Sequence, residues 1–323
     1  MKMMRILLFL LFISFFFISC EEDFNPYGDY TERFAFTCIL KSDQKNQTAT
    51  LFRSYRPDGY DPSTYTDDPS IIGADIRVWY NDSVFVFRDT SEVRIDTSRY
   101  KTPFKYYYNK QFSVGNRKTI ELEVLLPNGK RLRSTSVTPG QINYDDQSDA
   151  LIPTGSKTIV QINWSTLDEG TYFAPEMLIR YKQNINGQIV DKTKKVPNKY
   201  VYQGNNLVPV FPAPSANATV VYELDAITNA LQEISNGDPN KHNYSVYQKL
   251  IFIVAAFDLP TSRYVSSTGG NIDDLTVNTD VSDYSNIQGG FGLFGSYSKR
   301  NYTRLRFQEV FIESFGYNFI VEN

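Results

Sequence analysis

Side chains able to do catalytic or metal chemistry are scarce in these 323 residues. His242 is the sole histidine, so a Ser-His-Asp relay would have to use it. It lies in the polar stretch 238–245, where a surface loop is expected, and no G-x-S-x-G turn presents a nucleophile. Zinc prefers imidazole nitrogens and thiolates, which His242 and Cys38 alone cannot supply. Oxygen ligands suited to calcium are more plentiful: Asp273, Asp274, Asp280 and Asp283, with Asn271 and Asn278 nearby. Their spacing lacks the D-x-[DN]-x-[DN]-G order and the distal glutamate of a calcium loop, so 271–283 reads as an acidic, solvated loop. Carboxylate pairs for glycosidic cleavage need not be close in sequence, which keeps hydrolysis open as an alternative. No catalytic residue, metal or cofactor is expected.

A cluster of glycines, Gly289, Gly290 and Gly292, suggests a phosphate-cradling loop, but such a loop needs a preceding strand, a following helix and usually a lysine. Those features are missing, and the glycines read instead as places where backbones approach closely, with Phe291, Leu293 and Phe294 buried around them. The strongest chemical signal is the thiol of Cys20. It follows Lys2, Arg5 and an apolar run from residue 6 to residue 17, too short to span a membrane, which takes roughly 20 apolar residues. The segment Phe17-Ile18-Ser19-Cys20 resembles a bacterial lipobox, with Phe17 in place of the usual aliphatic residue. Residues 1–19 are therefore expected to be a cleaved signal, 20–33 an acidic tether, and Cys20 a lipid-bearing membrane anchor.

Removing residues 1–19 takes away Lys2 and Arg5, and so moves the net charge from −3 to −5. An acidic body with no basic stripe speaks against nucleic acid as a partner. With Cys20 committed to lipid, Cys38 has no disulfide partner and the fold must rest on its core.

Short aromatic and β-branched runs punctuated by turn residues predict a mainly β protein. The expected architecture is two β-sandwich, Ig-like domains in tandem, 34–140 and 141–323, with the break at Thr138-Pro139-Gly140. Strands are predicted over 34–40, 74–80, 83–88, 120–124 and 131–137 in the first, and over 158–164, 176–183, 188–194, 250–257, 304–311 and 317–321 in the second. Asn128-Gly129 and Asn186-Gly187 supply hairpin turns, and Asn81-Asp82 a turn of undecided type. One short helix is expected over 226–234, where Ile227, Ala230, Leu231 and Ile234 recur at helical spacing. The loop 55–70, rich in Pro, Asp, Gly and Tyr, cannot be a long regular element. Its Tyr55, Tyr60 and Tyr65 are candidate binding residues, since loops carry function on rigid scaffolds. Tyr106-Tyr107-Tyr108 reads as a strand contributing to core and ordinary surface.

The chain resembles the Bacteroidota lipoprotein family catalogued as domain of unknown function 4249. The resemblance rests on Glu21, Glu22 and Asp23 after Cys20, the hairpin beginning Ala74-Asp75-Ile76, and the segment 120–139 around Pro127-Asn128-Gly129-Lys130. Its most specific part is 284–295, with Asn286, Gly289, Gly290, Gly292 and Gly295 as the signature positions. The resemblance implies a mostly β envelope lipoprotein often encoded near TonB-dependent outer-membrane receptors, with no defined catalytic residue. Glu21, Glu22 and Asp23 then resemble a surface-export signal. The expectation is an outer-membrane lipoprotein acting as a non-enzymatic binding or accessory subunit in nutrient uptake. The alternatives are a surface hydrolase acting on glycan or peptide and a structural or adhesive envelope component, and the alternative location is the periplasmic face of the outer membrane.

Overall fold

The computed structural model describes residues 29–57, 59, 61–268 and 284–322. The chain divides into a unit over Met1–Glu32, of which only the last four residues are described, and a unit over Arg33–Asn323. Cys20, Glu21, Glu22, Asp23, Tyr60 and the acidic stretch 271–283 lie outside the described residues. Among the described residues strands hold 47% and helices 11%, so the fold is mainly β.

Seven strands occupy the first half: β1 (Phe34–Lys41), β2 (Gln47–Arg53), β3 (Asp75–Tyr80), β4 (Ser83–Glu92), β5 (Phe104–Asn109), β6 (Thr119–Leu125) and β7 (Arg131–Val137). Period-two burial explains them: every second residue of β6 and β7 faces the core, and the residues between face water. The long strand β4 serves two sheets. Its first residues pair with β3, and Arg88 to Glu92 pair with β5. This strand sharing folds β1, β2 and β5 over β3, β6 and β7, with Phe36, Leu51, Ile76, Val78, Tyr107, Leu122 and Leu132 buried between them. Asn81 and Asp82 both take positive φ, 48° and 58°, which makes the β3–β4 turn type I′ without a glycine. At the β6–β7 turn only Gly129 is left-handed, at φ 83°.

The second half adds β8 (Asn143–Tyr144), β9 (Leu151–Ile152), β10 (Ile159–Ser165), β11 (Phe173–Ile185), β12 (Gln188–Lys195), β13 (Lys199–Gln203), β14 (Asn206–Val210) and β15 (Thr219–Glu223). It closes with β16 (Tyr244–Tyr247), β17 (Ile251–Phe257), β18 (Phe291–Asn301), β19 (Arg306–Phe307) and β20 (Asn318–Ile320). β16 and β17 run end to end along one edge of β11, and β12 lines the other. The inner face of that sheet packs Met177, Ile179, Phe252 and Val254 against Val160, Ile162 and Trp164 of β10, Tyr222 of β15, and the helix Leu224–Ile234. The helix buries one stripe, Ala226, Ile227, Ala230, Leu231 and Ile234, as its apolar spacing dictates.

Three helices are present among the described residues, not one. The helix Leu259–Thr268 was hidden by its Pro, Ser and Thr content; it starts where Asp258 accepts the amide of Thr261 at 3.0 Å, as an N-cap does. The predicted strand over 304–311 is in fact the two-residue β19 followed by the helix Glu309–Glu313. The apolar run 250–257 predicts a fully buried strand, but Ile251 and Ile253 of β17 are only half-buried. The glycine-rich stretch, read as a place of close backbone approach, opens into the regular strand β18.

β18 is the strand common to both halves. Residues 291–297 pair in parallel with Ala35 to Lys41 of β1, and residues 297–301 pair antiparallel with Ile253 to Phe257 of β17. Phe294 and Ile287 complete the first core, although they lie far beyond residue 140 in sequence. Burial of a side chain the size of Phe294 contributes about 1.5–3 kcal/mol. The close approach requires glycine: at Gly292 the backbone has φ 109°, and a methyl group there would collide with the carbonyl oxygen of Phe36. Gly292→Ala should therefore destabilise the protein by at least about 3 kcal/mol in urea unfolding. Gly129→Ala, left-handed but surrounded by open space, should cost only about 1 kcal/mol. Equal losses would show that strain at the left-handed angle, not contact with β1, makes Gly292 necessary.

Candidate functional site

Two loops at one end of the first sandwich meet to form the most distinctive surface cluster. One joins β2 to β3, and the other joins β4 to β5. Tyr55 and Tyr65 of the first loop stack with ring centroids 4.2 Å apart and planes 10° from parallel. From the second loop, the Arg99 guanidinium lies 5.5 Å from the centroid of Tyr55 and 5.0 Å from that of Tyr100. It donates to the hydroxyl of Tyr55 and, at 3.1 Å, to the carbonyl of Tyr65. Arg94 continues the series, 5.0 Å from the centroid of Tyr100 and 5.3 Å from that of Phe104, which stacks on Tyr106. Rings and guanidiniums thus alternate along one ladder, and each ring face turned toward a cation is favourable by about 0.5–1 kcal/mol at such half-exposed sites.

Asp68 secures the ladder from below. Its carboxylate takes hydrogen bonds from Arg94 at 3.2 Å and Thr102 at 2.9 Å, and Arg94 also donates to the carbonyl of Thr102 at 2.9 Å. Burial pushes the Asp68 carboxyl up, but hydrogen bonds from Ser70, Thr102 and Arg94 outweigh it and hold it below the ordinary range. The loop carrying Arg94 turns its neighbours outward: Val93 is 88% exposed, and Ile95 is fully exposed.

No family model matches the chain, and no curated protein matches it.

The remaining candidates fall in different places. His242 is exposed, its Nδ1 3.3 Å from Oδ1 of Asn318, whose amide nitrogen lies 3.4 Å from the hydroxyl of Ser245. Cys38 is buried in the first core, and burial pushes its thiol up, which leaves it protonated and unreactive. No group of three or more ligating His, Cys, Asp or Glu side chains exists among the described residues. No helix among them is long and apolar enough to cross a membrane. Tyr107 is buried, bonding the amide of Ala74 and the carbonyl of Ile71 through its hydroxyl, while Tyr106 and Tyr108 face outward.

The signature residues converge where β18 begins. The Asn286 side chain accepts the amide of Phe294 at 2.9 Å and donates to its carbonyl at 2.7 Å. A methyl group at Gly289 would lie 2.5 Å from the carbonyl oxygen of Arg131, and one at Gly290 2.6 Å from that of Phe34. Gly295 faces Thr261 and Asp258. Asp258, 2% exposed, is bonded at this junction by Ser136 of β7 at 2.7 Å, Ser296 of β18 at 3.0 Å and the amide of Thr261. Burial raises its pKa to about 6 against the pull of those hydrogen bonds. A raised carboxyl can mark a catalytic acid. Here every oxygen is engaged in joining β7, β18 and the helix Leu259–Thr268, so the role is structural.

Sequence reading reached Tyr55 and Tyr65 but missed Arg94, Arg99, Tyr100, Phe104 and Asp68. The alternation of arginine and aromatic side chains in 94–104 was the available signal; its pairing with the other loop depends on strand order.

Because the folded pKa of Asp258 lies above its unfolded value of 3.8, the folded state keeps a proton that the unfolded chain has already lost. Stability from this group is therefore full below about pH 4, falls as pH rises toward about 6, and then levels, a loss of about 3 kcal/mol. Asp68 acts in the opposite sense and only below the ordinary carboxylate range, so the two windows separate. Urea unfolding between about pH 4 and about pH 6.5 should show this decline in the native protein and a flat profile in Asp258→Asn. The same slope in both proteins would assign it to other groups.

Proposed function

We propose that the protein is an outer-membrane lipoprotein, anchored through Cys20 and directed to the cell surface by Glu21, Glu22 and Asp23. It serves as a non-enzymatic binding or accessory subunit, with a TonB-dependent receptor as its partner in nutrient uptake. In this reading the chain is a relative of the Bacteroidota lipoproteins that its residues 284–295 resemble.

The observation that supports a binding role is the ladder of Tyr65, Tyr55, Arg99, Tyr100, Arg94 and Phe104 beside the exposed Val93 and Ile95. Tyrosine and arginine are the residue types that concentrate at interface hot spots. Cross-bracing by guanidiniums fixes the ladder before a partner arrives, which lowers the entropy cost of binding. Covering Val93 and Ile95 would contribute about 1.5–3 kcal/mol for each side chain fully buried.

Cross-linking of intact cells, followed by purification of tagged protein and mass spectrometry, should enrich one outer-membrane receptor. A Val93→Ser, Ile95→Ser double variant should lose that partner while keeping its circular dichroism spectrum. Cys20→Ala should move the protein from the membrane pellet to the soluble fraction. Capture unaffected by the double variant would remove the ladder face from the interface, and retention of Cys20→Ala in the pellet would remove lipid as the anchor.

A further inference from the structure

Asparagine followed by glycine carries a reaction of the chain with itself. The glycine amide nitrogen attacks the asparagine side-chain carbonyl carbon, and glycine, lacking a side chain, hinders that approach least. The sequence holds three such pairs, Asn128-Gly129, Asn186-Gly187 and Asn236-Gly237. All six residues are exposed, so access by water does not distinguish them. Their backbone bonding does.

Two of the pairs form hairpin turns, and in both the glycine amide is already engaged. Gly129 donates to the carbonyl of Leu126 at 2.9 Å, and Gly187 donates to Oδ1 of Asn184 at 2.8 Å. Strand pairing closes directly behind each turn, with Leu125 opposite Arg131 and Ile185 opposite Gln188. The Asn128 side chain is held as well, accepting the amide of Lys130 at 3.1 Å. Asn236-Gly237 instead follows the end of the helix Leu224–Ile234 and belongs to no strand. Its turn is closed by the amide of Asp238, which donates to the carbonyl of Ser235 at 2.8 Å. Among the described residues, no hydrogen bond reaches the Gly237 amide or the Asn236 side chain. Turning the glycine peptide toward the asparagine side chain therefore breaks a hydrogen bond of that amide at Gly129 and at Gly187, and none at Gly237.

We propose that Asn236 is a site of self-modification, where the folded chain converts its own asparagine to aspartate and isoaspartate. The Gly237 nitrogen gives its proton to hydroxide and bonds to Cγ of Asn236. The Cγ–Nδ2 bond then breaks, and Nδ2 takes a proton from water and leaves as ammonia, which gives a cyclic imide. Water adds to one imide carbonyl and the ring opens. Opening at Cγ leaves aspartate, and opening at the backbone carbonyl leaves isoaspartate. Nothing is oxidised or reduced, and water is the co-reactant. Either product puts a carboxylate at the C-terminal end of the helix, where the carbonyls already concentrate negative charge and Glu233 and Asp238 lie close in sequence. Isoaspartate also lengthens the backbone beside Ser235, whose hydroxyl accepts that of Tyr317 at 3.1 Å. The conversion thus loosens the helix end where it meets the second core. This inference uses neither the lipid anchor nor the ladder, so it stands or falls separately from them.

The test is peptide mapping by mass spectrometry of the full chain in detergent, aged at mildly alkaline pH, with enzymatic methylation to count isoaspartate. In the native protein Asn236 should convert about two- to tenfold faster than Asn128 or Asn186, the factor that one hydrogen bond supplies. In urea, where all three glycine amides are released, the rates should draw together. Asn236→Gln should remove the fast conversion and leave the other two rates unchanged. A native rate at Asn236 no greater than at the hairpin turns would overturn the proposal. So would a preference for Asn236 that persists undiminished in urea, because neighbouring sequence and not the fold would then select it.

Discussion

Parallel pairing between β1 and β18, from Ala35 opposite Phe291 to Lys41 opposite Tyr297, joins residues from the two ends of the folded body. Such pairing has a large loop-closure cost, because hundreds of intervening residues must be ordered before it is rewarded. What rewards it is apolar: Phe36, Cys38 and Phe294 are buried in the first core, while Leu293 and Tyr297 pack with Phe257 and Tyr264 in a third, smaller cluster. The glycines permit the backbones to come close enough for that burial. Substituting side chains there would push β18 off β1 and open both cores at once.

The end of β17 creates a second demand. After Phe257 pairs with Tyr297, the chain turns into the helix Leu259–Thr268, and the edge of β18 ahead of that point loses its strand neighbour. A buried amide and carbonyl left without partners would cost about 1–3 kcal/mol each. Asn286 meets that demand with one side chain, taking the place of a missing strand opposite Phe294. Asp258 does the corresponding work one step on, where its backbone amide bonds the carbonyl of Ser296 and its carboxylate collects Ser136, Ser296 and Thr261. The ladder at the other end of the first sandwich depends on this closure only indirectly. Its loops spring from β2, β3, β4 and β5, whose spacing is set by the same core.

Local pattern carried a good part of the architecture. The alternation in 120–137, the Asn186-Gly187 turn and the helical spacing around Ile227 to Ile234 each specify their element without help from distant residues. Elements whose stability is tertiary were illegible. β18 is absent from the predicted strands because glycine disfavours strands in isolation, and only its place between β1 and β17 makes it one. The helix Leu259–Thr268 depends on its Asp258 cap and on Tyr264 and Val265 reaching the third cluster. At the candidate site, composition pointed to Tyr55 and Tyr65, whereas the arginines that hold them arrive from a loop some 30 to 40 residues on, which one sequence does not place beside them.

The two tryptophans allow a direct test of whether β18 and its lead-in bind both halves into one cooperative unit. Trp79 stands in β3 of the first half and Trp164 in β10 of the second, so Trp164→Phe and Trp79→Phe each leave one reporter. Urea unfolding followed by fluorescence should give coincident transitions, and adding Asn286→Ala should lower both by about 2 kcal/mol or more. If Asn286→Ala shifted the Trp79 transition and left that of Trp164 in place, β18 would not be the element on which both halves depend.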